Sequence, residues 1–276
     1  MESSKKSIPY TKYQAAGNAY IVANESGFNI SSRTAKTICS STYGVGSDGI
    51  VCWEGHSRCF HVQIINPDGS LAEKSGNGLR ILATFLFEKI CKTQKHIVLK
   101  TVSSTVNATL KSAGDIVLEM GKPVFGSDPI SSGNSSIFPE EINMQSVNQV
   151  ISGYSVSMGN PHFVIFVEDL DLTNAQKLGP LIENHPFFPN RSNVQFVKPI
   201  NRSAAKAIIW ERGAGYTLSS GSSSCAIYAV MNRLGLCDDE LLVQTTGGKL
   251  EVWQDETKTI WLKGPVKKVT EGIFFT

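Results

Sequence analysis

Ser75-Gly-Asn-Gly-Leu-Arg-Ile-Leu-Ala-Thr-Phe-Leu-Phe-Glu-Lys-Ile90 and Ser220-Gly-Ser-Ser-Ser-Cys-Ala-Ile-Tyr-Ala-Val-Met-Asn-Arg-Leu234 read as one pattern written twice. Each opens on a Ser-Gly pair and continues into a segment with almost no polar face. Leu79, Ile81, Leu82, Phe85 and Leu86 recur at helical spacings in the first, and Ala226, Ile227, Val230 and Leu234 in the second. A helix that is apolar on most sides must be enclosed by other structure. Short runs rich in Val, Ile and Phe, separated by Gly, Asn, Ser and Pro, supply it. They are 20–23, 49–53, 61–65, 96–99, 116–119, 162–167, 194–197, 207–210, 241–245 and 250–253, all of strand length and composition. Residues 31–41 read as a third helix. The predicted class is α/β (α+β), with two pseudo-symmetric domains. Each is a curved β-sheet or barrel wrapped round a central helix.

The duplication extends beyond the helices. Asn66 stands nine positions before Ser75, and Glu211 nine before Ser220. Gly17-Asn18-Ala-Tyr-Ile-Val is matched by Gly159-Asn160-Pro-His162-Phe-Val, at an offset of 142 against 145 for the two serines. The expected halves are residues 1–121, completed by 265–276 after a turn at Gly264-Pro265, and residues 122–264. The stretch from Met120 through Ser132 reads as the linker. A helix N-terminus carries unpaired N–H groups and the positive end of the macrodipole, so it holds anions. Two such termini, each with a reactive side chain, are what a two-base racemase of an anionic substrate needs.

Composition narrows the alternatives. With 41% hydrophobic and 18% charged residues and a formal charge of +2, the chain has the balance of a soluble globular protein, with no case for a nucleic-acid or anionic-membrane partner. No apolar run approaches the about 20 residues that span a bilayer. Residues 1–9 are polar and basic; they read as a solvated tail and not as a signal peptide. Cys39, Cys52, Cys59, Cys91, Cys225 and Cys237 show neither metal-ligand nor disulfide spacing, and the five histidines are dispersed. Reduced thiols, a cytoplasmic location and no metal are expected. Trp53, Trp210 and Trp253 read as core or interface residues.

Eight motifs now stand in one order: G-N-A-Y (17–20), G-V-G-S-D-G (44–49), N-P-D-G-S (66–70), S-G-N-G-L-R (75–80), M-G-N-P-H (158–162), N-V-Q-F (193–196), E-R-G-A-G (211–215) and S-G-S-S-S-C-A (220–226). In this the chain resembles the diaminopimelate epimerases, from about Tyr13 to Gly264. These are amino-acid epimerases of lysine and peptidoglycan synthesis that use no pyridoxal phosphate or other cofactor. The resemblance implies a homodimer and interconversion of LL- and meso-diaminopimelate. One cysteine from each domain removes or returns the α-proton on opposite faces. Inversion without a cofactor does need an acid and a base that can exchange roles, and a helix N-terminus lowers a thiol's pKa towards neutrality.

The positions matching those cysteines are Ser75 and Ser220. A thiol titrates near 8.5, whereas an alkoxide is far harder to form, so this chain is expected to bind substrate and turn it over slowly or not at all. Cys225 matches a non-catalytic family cysteine beyond the reactive position. Deliberate Cys→Ser replacement and a natural paralogue with altered chemistry both fit, and the intact pocket favours the first.

The resemblance carries the remaining site residues across. His162 and Glu211 match residues that tune the catalytic pair. Asn66, Asn193, Glu211 and Arg212 match those holding the substrate's distal amino-acid end, where a guanidinium pairs with a carboxylate and acceptor oxygens take an ammonium. Gly76, Asn77, Gly221 and Ser222 match the donors around the reacting carboxylate, and Asn18 and Asn160 match two further contacts. Gly49 stands where some members have glutamine, and Tyr216 where glutamate is frequent. The alternatives are a racemase of another amino acid and a non-catalytic amino-acid-binding protein.

Overall fold

The computed structural model describes residues 7–23, 30–72, 75–102, 104–112, 115–125 and 138–275. They divide into two units, one comprising the residues up to Leu118 with those from Gly264 onward, the other Glu119–Lys263. The first contains β1 (Ser7–Ala15), β2 (Asn18–Ala23), α1 (Ser32–Cys39), β3 (Ile50–His56), β4 (Cys59–Ile65), β5 (Leu71–Ala72), α2 (Gly76–Lys89), β6 (His96–Lys100), β7 (Thr105–Ser112) and the start of β8 (Asp115–Gly121), which runs on past the boundary. The second contains β9 (Val124–Phe125), β10 (Glu140–Met144), β11 (Gln149–Ser157), β12 (Pro161–Phe166), α3 (Leu172–Glu183), β13 (Asn193–Asn201), β14 (Ala204–Glu211), β15 (Gly215–Thr217), α4 (Gly221–Arg233), β16 (Glu240–Thr245), β17 (Gly248–Gln254) and β18 (Ile260–Lys263). The last strand, β19 (Lys267–Phe275), pairs antiparallel with β1.

Strand pairing repeats step for step. In the first unit β1–β2 is antiparallel, β2–β3 parallel, β3–β4 and β4–β5 antiparallel, β4–β6 parallel, and β6–β7 and β7–β8 antiparallel. In the second unit β11–β18 pair in the same succession and the same senses as β1–β8. Each parallel crossover is made by a helix, as parallel neighbours require: α1 and α3 bridge the first, α2 and α4 the second. The mixed α/β architecture, with two repeated halves, is thus present in the described residues.

Side chains alternate across each sheet, and that alternation assigns the faces. Ile21, Ala23, Ile50, Cys52 and Ile65 pack with Ala35 and Ile38 of α1. The opposite face of the sheet meets α2, in which Gly76–Thr84, Leu86 and Phe87 are buried and Phe85 is half-buried. In the second unit Phe163, Ile165, Val194 and Phe196 pack with Ala175, Leu178 and Ile182 of α3, and α4 lies against β11, β12, β13, β16, β17 and β18. Only an encircled helix can be buried from Gly221 to Met231 without interruption, as α4 is.

Two expectations need correction. Residues 7–9, read as part of a solvated tail, form the start of β1, with Ser7, Ile8 and Pro9 opposite Phe275, Phe274 and Ile273. Residues 1–6 of that tail, and residues 126–132 of the expected linker, lie outside the described residues. The second correction is α3, which the sequence reading missed because Gly179-Pro180 resembles a turn. Instead Asp171 caps the helix by accepting from the N–H groups of Thr173 and Asn174, and Pro180 is carried inside it. The reason for Gly179 is contact: a Cβ there would stand 2.5 Å from Trp210 Cδ2.

That contact generates a test whose sign opposes helix propensity. Alanine is the better helix former by about 1 kcal/mol, yet Gly179→Ala should destabilise the protein by roughly 1–3 kcal/mol through overpacking against Trp210. Urea denaturation would show it as a lower midpoint with an unchanged slope.

Candidate active site

In the first unit the site grows from the N-terminus of α2. Ser75 precedes the helix with extended backbone (φ −136°, ψ 112°), and its Oγ accepts from Gly78 N–H at 3.1 Å. The same Oγ lies 3.2 Å from the hydroxyl of Tyr20 on β2. In the first turn Asn77 is 3% exposed; its Nδ2 donates to Asn18 Oδ1 at 2.8 Å, and its Oδ1 accepts from Arg80 Nη2 at 2.7 Å. Ser75, Gly76, Asn77 and Asn18 are therefore neighbours at this helix start. Asn66 is not joined to them by any described bond: its Nδ2 donates to Ser70 Oγ and its backbone closes the 66–70 turn.

In the second unit Ser220 precedes α4 with the same backbone (φ −145°, ψ 128°), 5% exposed, but its hydroxyl makes no capping bond. Gly221 and Ser222 follow, both buried. Behind them lies a polar cluster on the α4 face of the sheet. His162 Nε2 is 3.0 Å from Asn160 Oδ1, and Gln195 Nε2 is 3.1 Å from both His162 Nδ1 and Ser223 Oγ. The Asn160 amide oxygen can only accept, so the bond to it requires a proton on His162 Nε2.

The Glu211–Arg212 turn is held from two sides. Asn193 Nδ2 donates to Pro161 O at 2.7 Å while its Oδ1 accepts from Arg212 N–H at 3.0 Å. The side chain of Arg212 reaches Asn190 O at 3.2 Å, and Glu211 Oε1 accepts from Thr217 Oγ1 at 2.9 Å. Tyr216 donates to Thr246 Oγ1 at 3.0 Å.

Three residues here have no role in the sequence reading. Glu183, at the end of α3, is 5% exposed and accepts from Trp210 Nε1 (2.7 Å), Gly213 N–H (2.9 Å) and Arg191 Nη1 (3.1 Å), underpinning the turn that carries Arg212. Nothing local marks it, because its partners are distant in sequence. Gln195 and Arg80, both 0% exposed, lie inside quoted motifs. Recognising them required knowing that their strand and helix face inward, which is unusual for such side chains.

The buried cysteines offer no substitute base. Burial pushes the Cys52 thiol up to about 12 and that of Cys237 up to about 11, and raises those of Cys39 and Cys91. Cys225 is fully buried inside α4. Among the described residues no three His, Cys, Asp or Glu side chains gather as a metal site, and no helix is long and apolar enough to cross a membrane.

The model of the family described as diaminopimelate epimerase matches residues 10–126 and 154–269. The chain belongs to the diaminopimelate epimerase family. It is 39% identical to diaminopimelate epimerase 2 of a Nostoc species, with 96% of this chain and 95% of that protein covered. It is 34% identical to the diaminopimelate epimerase of Elusimicrobium minutum, covering 97% and 99%. Among solved structures, a hydroxyproline epimerase from Agrobacterium vitis matches with a TM-score of 0.75 at 14% identity, covering 99% of this chain and 93% of that one. A phenazine biosynthesis protein of Bacillus anthracis matches with 0.71 at 15% identity, covering 98% and 100%. At such identities the two structures bear on fold alone.

For this family member the buttress under the Arg212 turn is testable. Glu183→Ala leaves Trp210 Nε1–H and the Gly213 N–H without their acceptor, and should cost about 3 kcal/mol of stability. Chemical denaturation beside the parent chain measures it; a loss below about 0.5 kcal/mol, typical of an ordinary surface change, would refute the role.

Proposed function

We propose that this chain binds diaminopimelate as an epimerase of its family does, and that serine at both reactive positions makes it a slow or silent form of that enzyme. The observation that carries this reading is the repeated N-terminus. Ser75 and Ser220 occupy equivalent places in the two repeats, with the same extended backbone, each before a buried helix. The N–H groups of such a terminus favour the α-carboxylate, most of all as charge develops on it when the α-proton leaves. Each serine stands at a position that, in this reading, takes the α-proton or returns it. A cysteine there could take the proton as thiolate and return it as thiol; a lone serine lacks an accessible base form.

The distal amino-acid end falls to Arg212 and Glu211, with Asn193 setting the backbone between them. Relatives named diaminopimelate epimerase, 39% and 34% identical over nearly the whole chain, support this substrate over other amino acids. Cofactor independence, a homodimer, a cytoplasmic setting and a place in lysine biosynthesis belong to the same reading. A non-catalytic amino-acid-binding role is favoured by one observation, that Cys39, Cys52, Cys91 and Cys237 are buried and their thiols raised in pKa.

Proton NMR in deuterated water with LL-diaminopimelate tests the proposal. The Ser75→Cys/Ser220→Cys protein should lose the substrate α-proton signal rapidly and form the meso isomer, with the unaltered chain slower by orders of magnitude. Absence of exchange by both would refute the diaminopimelate reading. Calorimetry tests the clamp separately: Arg212→Ala should weaken diaminopimelate binding by about 2–4 kcal/mol, through loss of a charge-assisted pair and the carboxylate left without it. Unchanged affinity would place the distal end elsewhere.

A further inference from the structure

The repeat relates Gly17-Asn18-Ala-Tyr20 to Gly159-Asn160-Pro-His162, so Tyr20 holds on β2 the position that His162 holds on β12. Both residues are buried, at 9% and 1% exposure. The neighbouring slots also correspond. His162 lies beside Asn193 in the parallel β12–β13 pair, and extending the parallel β2–β3 register by one residue sets Gly49 beside Tyr20. The absence of a side chain at 49 is what admits the phenol ring. A Cβ there would stand 2.7 Å from Tyr20 Cε1 and 2.8 Å from Ile65 O. Room made at Gly49 therefore lets an aromatic hydroxyl reach Ser75 Oγ at 3.2 Å.

We propose that Tyr20 and Ser75 form a proton-transfer pair, in which the Tyr20 phenol stores the proton and Ser75 Oγ passes it to and from the α-carbon of a bound amino acid. The inference rests on the epimerase reading and adds the group that supplies basicity where the thiol is missing. Free phenols titrate near 10, so about one in 1,000 is ionised at pH 7, a far larger fraction than of any aliphatic hydroxyl. The Gly78 N–H already occupies one lone pair of Ser75 Oγ, leaving its hydroxyl proton free to point at a phenolate. Nearby stands a permanent cation: Arg80, fully buried, bonds Asn77 Oδ1 and reaches towards Gly76 O. With the positive end of α2 it favours negative charge in front of the helix.

The step balances without a further reactant. The α-C–H bond breaks, and its electron pair delocalises into the α-carboxylate. The proton goes to Ser75 Oγ as the serine's own proton passes to the Tyr20 phenolate. After exchange with solvent the same pair returns a deuteron to the same face, so the product is α-deuterated with its configuration retained. Tyr20 acts through Ser75 and is a positioning residue in that sense.

The experiment follows α-proton exchange of both diaminopimelate isomers by NMR in deuterated water, with calorimetric affinities alongside. The unaltered chain should show slow exchange with retention, and Tyr20→Phe should lower its rate about 100-fold while affinity stays within about twofold, a fold-change of only about 0.4 kcal/mol. Retained affinity also shows that the variant is folded. Tyr20→Phe placed in the Ser75→Cys/Ser220→Cys protein should leave exchange intact, because a thiolate needs no phenol. Equal exchange by the unaltered chain and its Tyr20→Phe variant would overturn the pair. No exchange by the serine chain, beside exchange by the double-cysteine protein, would overturn the pair and leave the epimerase reading standing. Failure of both proteins would remove both.

Discussion

Burial of α2 and α4 on nearly every side imposes the conditions that the rest of each unit meets. A helix without a broad polar face has to be enclosed, so its sheet curves round it, and its backbone ends become polar groups that the packing must answer. At the N-terminus the first N–H groups have no partner within the helix. Ser75 answers one of them from its side chain, whereas Ser220 leaves its hydroxyl uncommitted to the cap. Enclosure thus concentrates unsatisfied donors at one end of each helix, the kind of terminus that favours an anion.

The sheet faces turned towards these helices carry polar residues that are costly to bury and are accordingly paired. Gln195 ties His162 to Ser223 of α4, and Arg80 ties Asn77 to its own helix. These bonds reach another element or another turn, and such networks fix orientation as much as they add stability. Glu183 does the same outside the sheet, where one carboxylate joins α3, β14 and the loop after it. The positions that meet substrate in the epimerase reading are thereby supported by residues that never touch it.

Most of the architecture was legible because its signals are periodic. The ten strand runs, the two enclosed helices and the duplication all follow from spacing. What escaped was local contradiction overridden by tertiary context. Gly179-Pro180 reads as a break, but the Trp210 ring needs the glycine, and the Asp171 cap holds the helix start. The duplication held the missing signal, since α1 displaced by the offset between Gly17 and Gly159 falls within α3. In the same way Ser7–Pro9 looks like a tail until β19 is known to lie beside it. At the site, motif residues near each helix terminus were legible, whereas Glu183 and the service of Asn193 to the Arg212 backbone depend on contacts that no spacing encodes.

The pairing of β1 with β19 sets the order in which the protein can be completed. During synthesis β1 emerges early with one edge answered by β2, while the strand that answers its other edge is translated only after all of the second unit. Until then a row of backbone donors and acceptors along residues 7–15 remains open to any extended segment, the hazard that exposed sheet edges carry. Lys12, which faces Thr270 across that edge, places a charge where unwanted pairing would otherwise be easy. The long-range closure couples maturation of the first unit to the arrival of the last strand, so the first half of the chain waits for the second even though each has its own core.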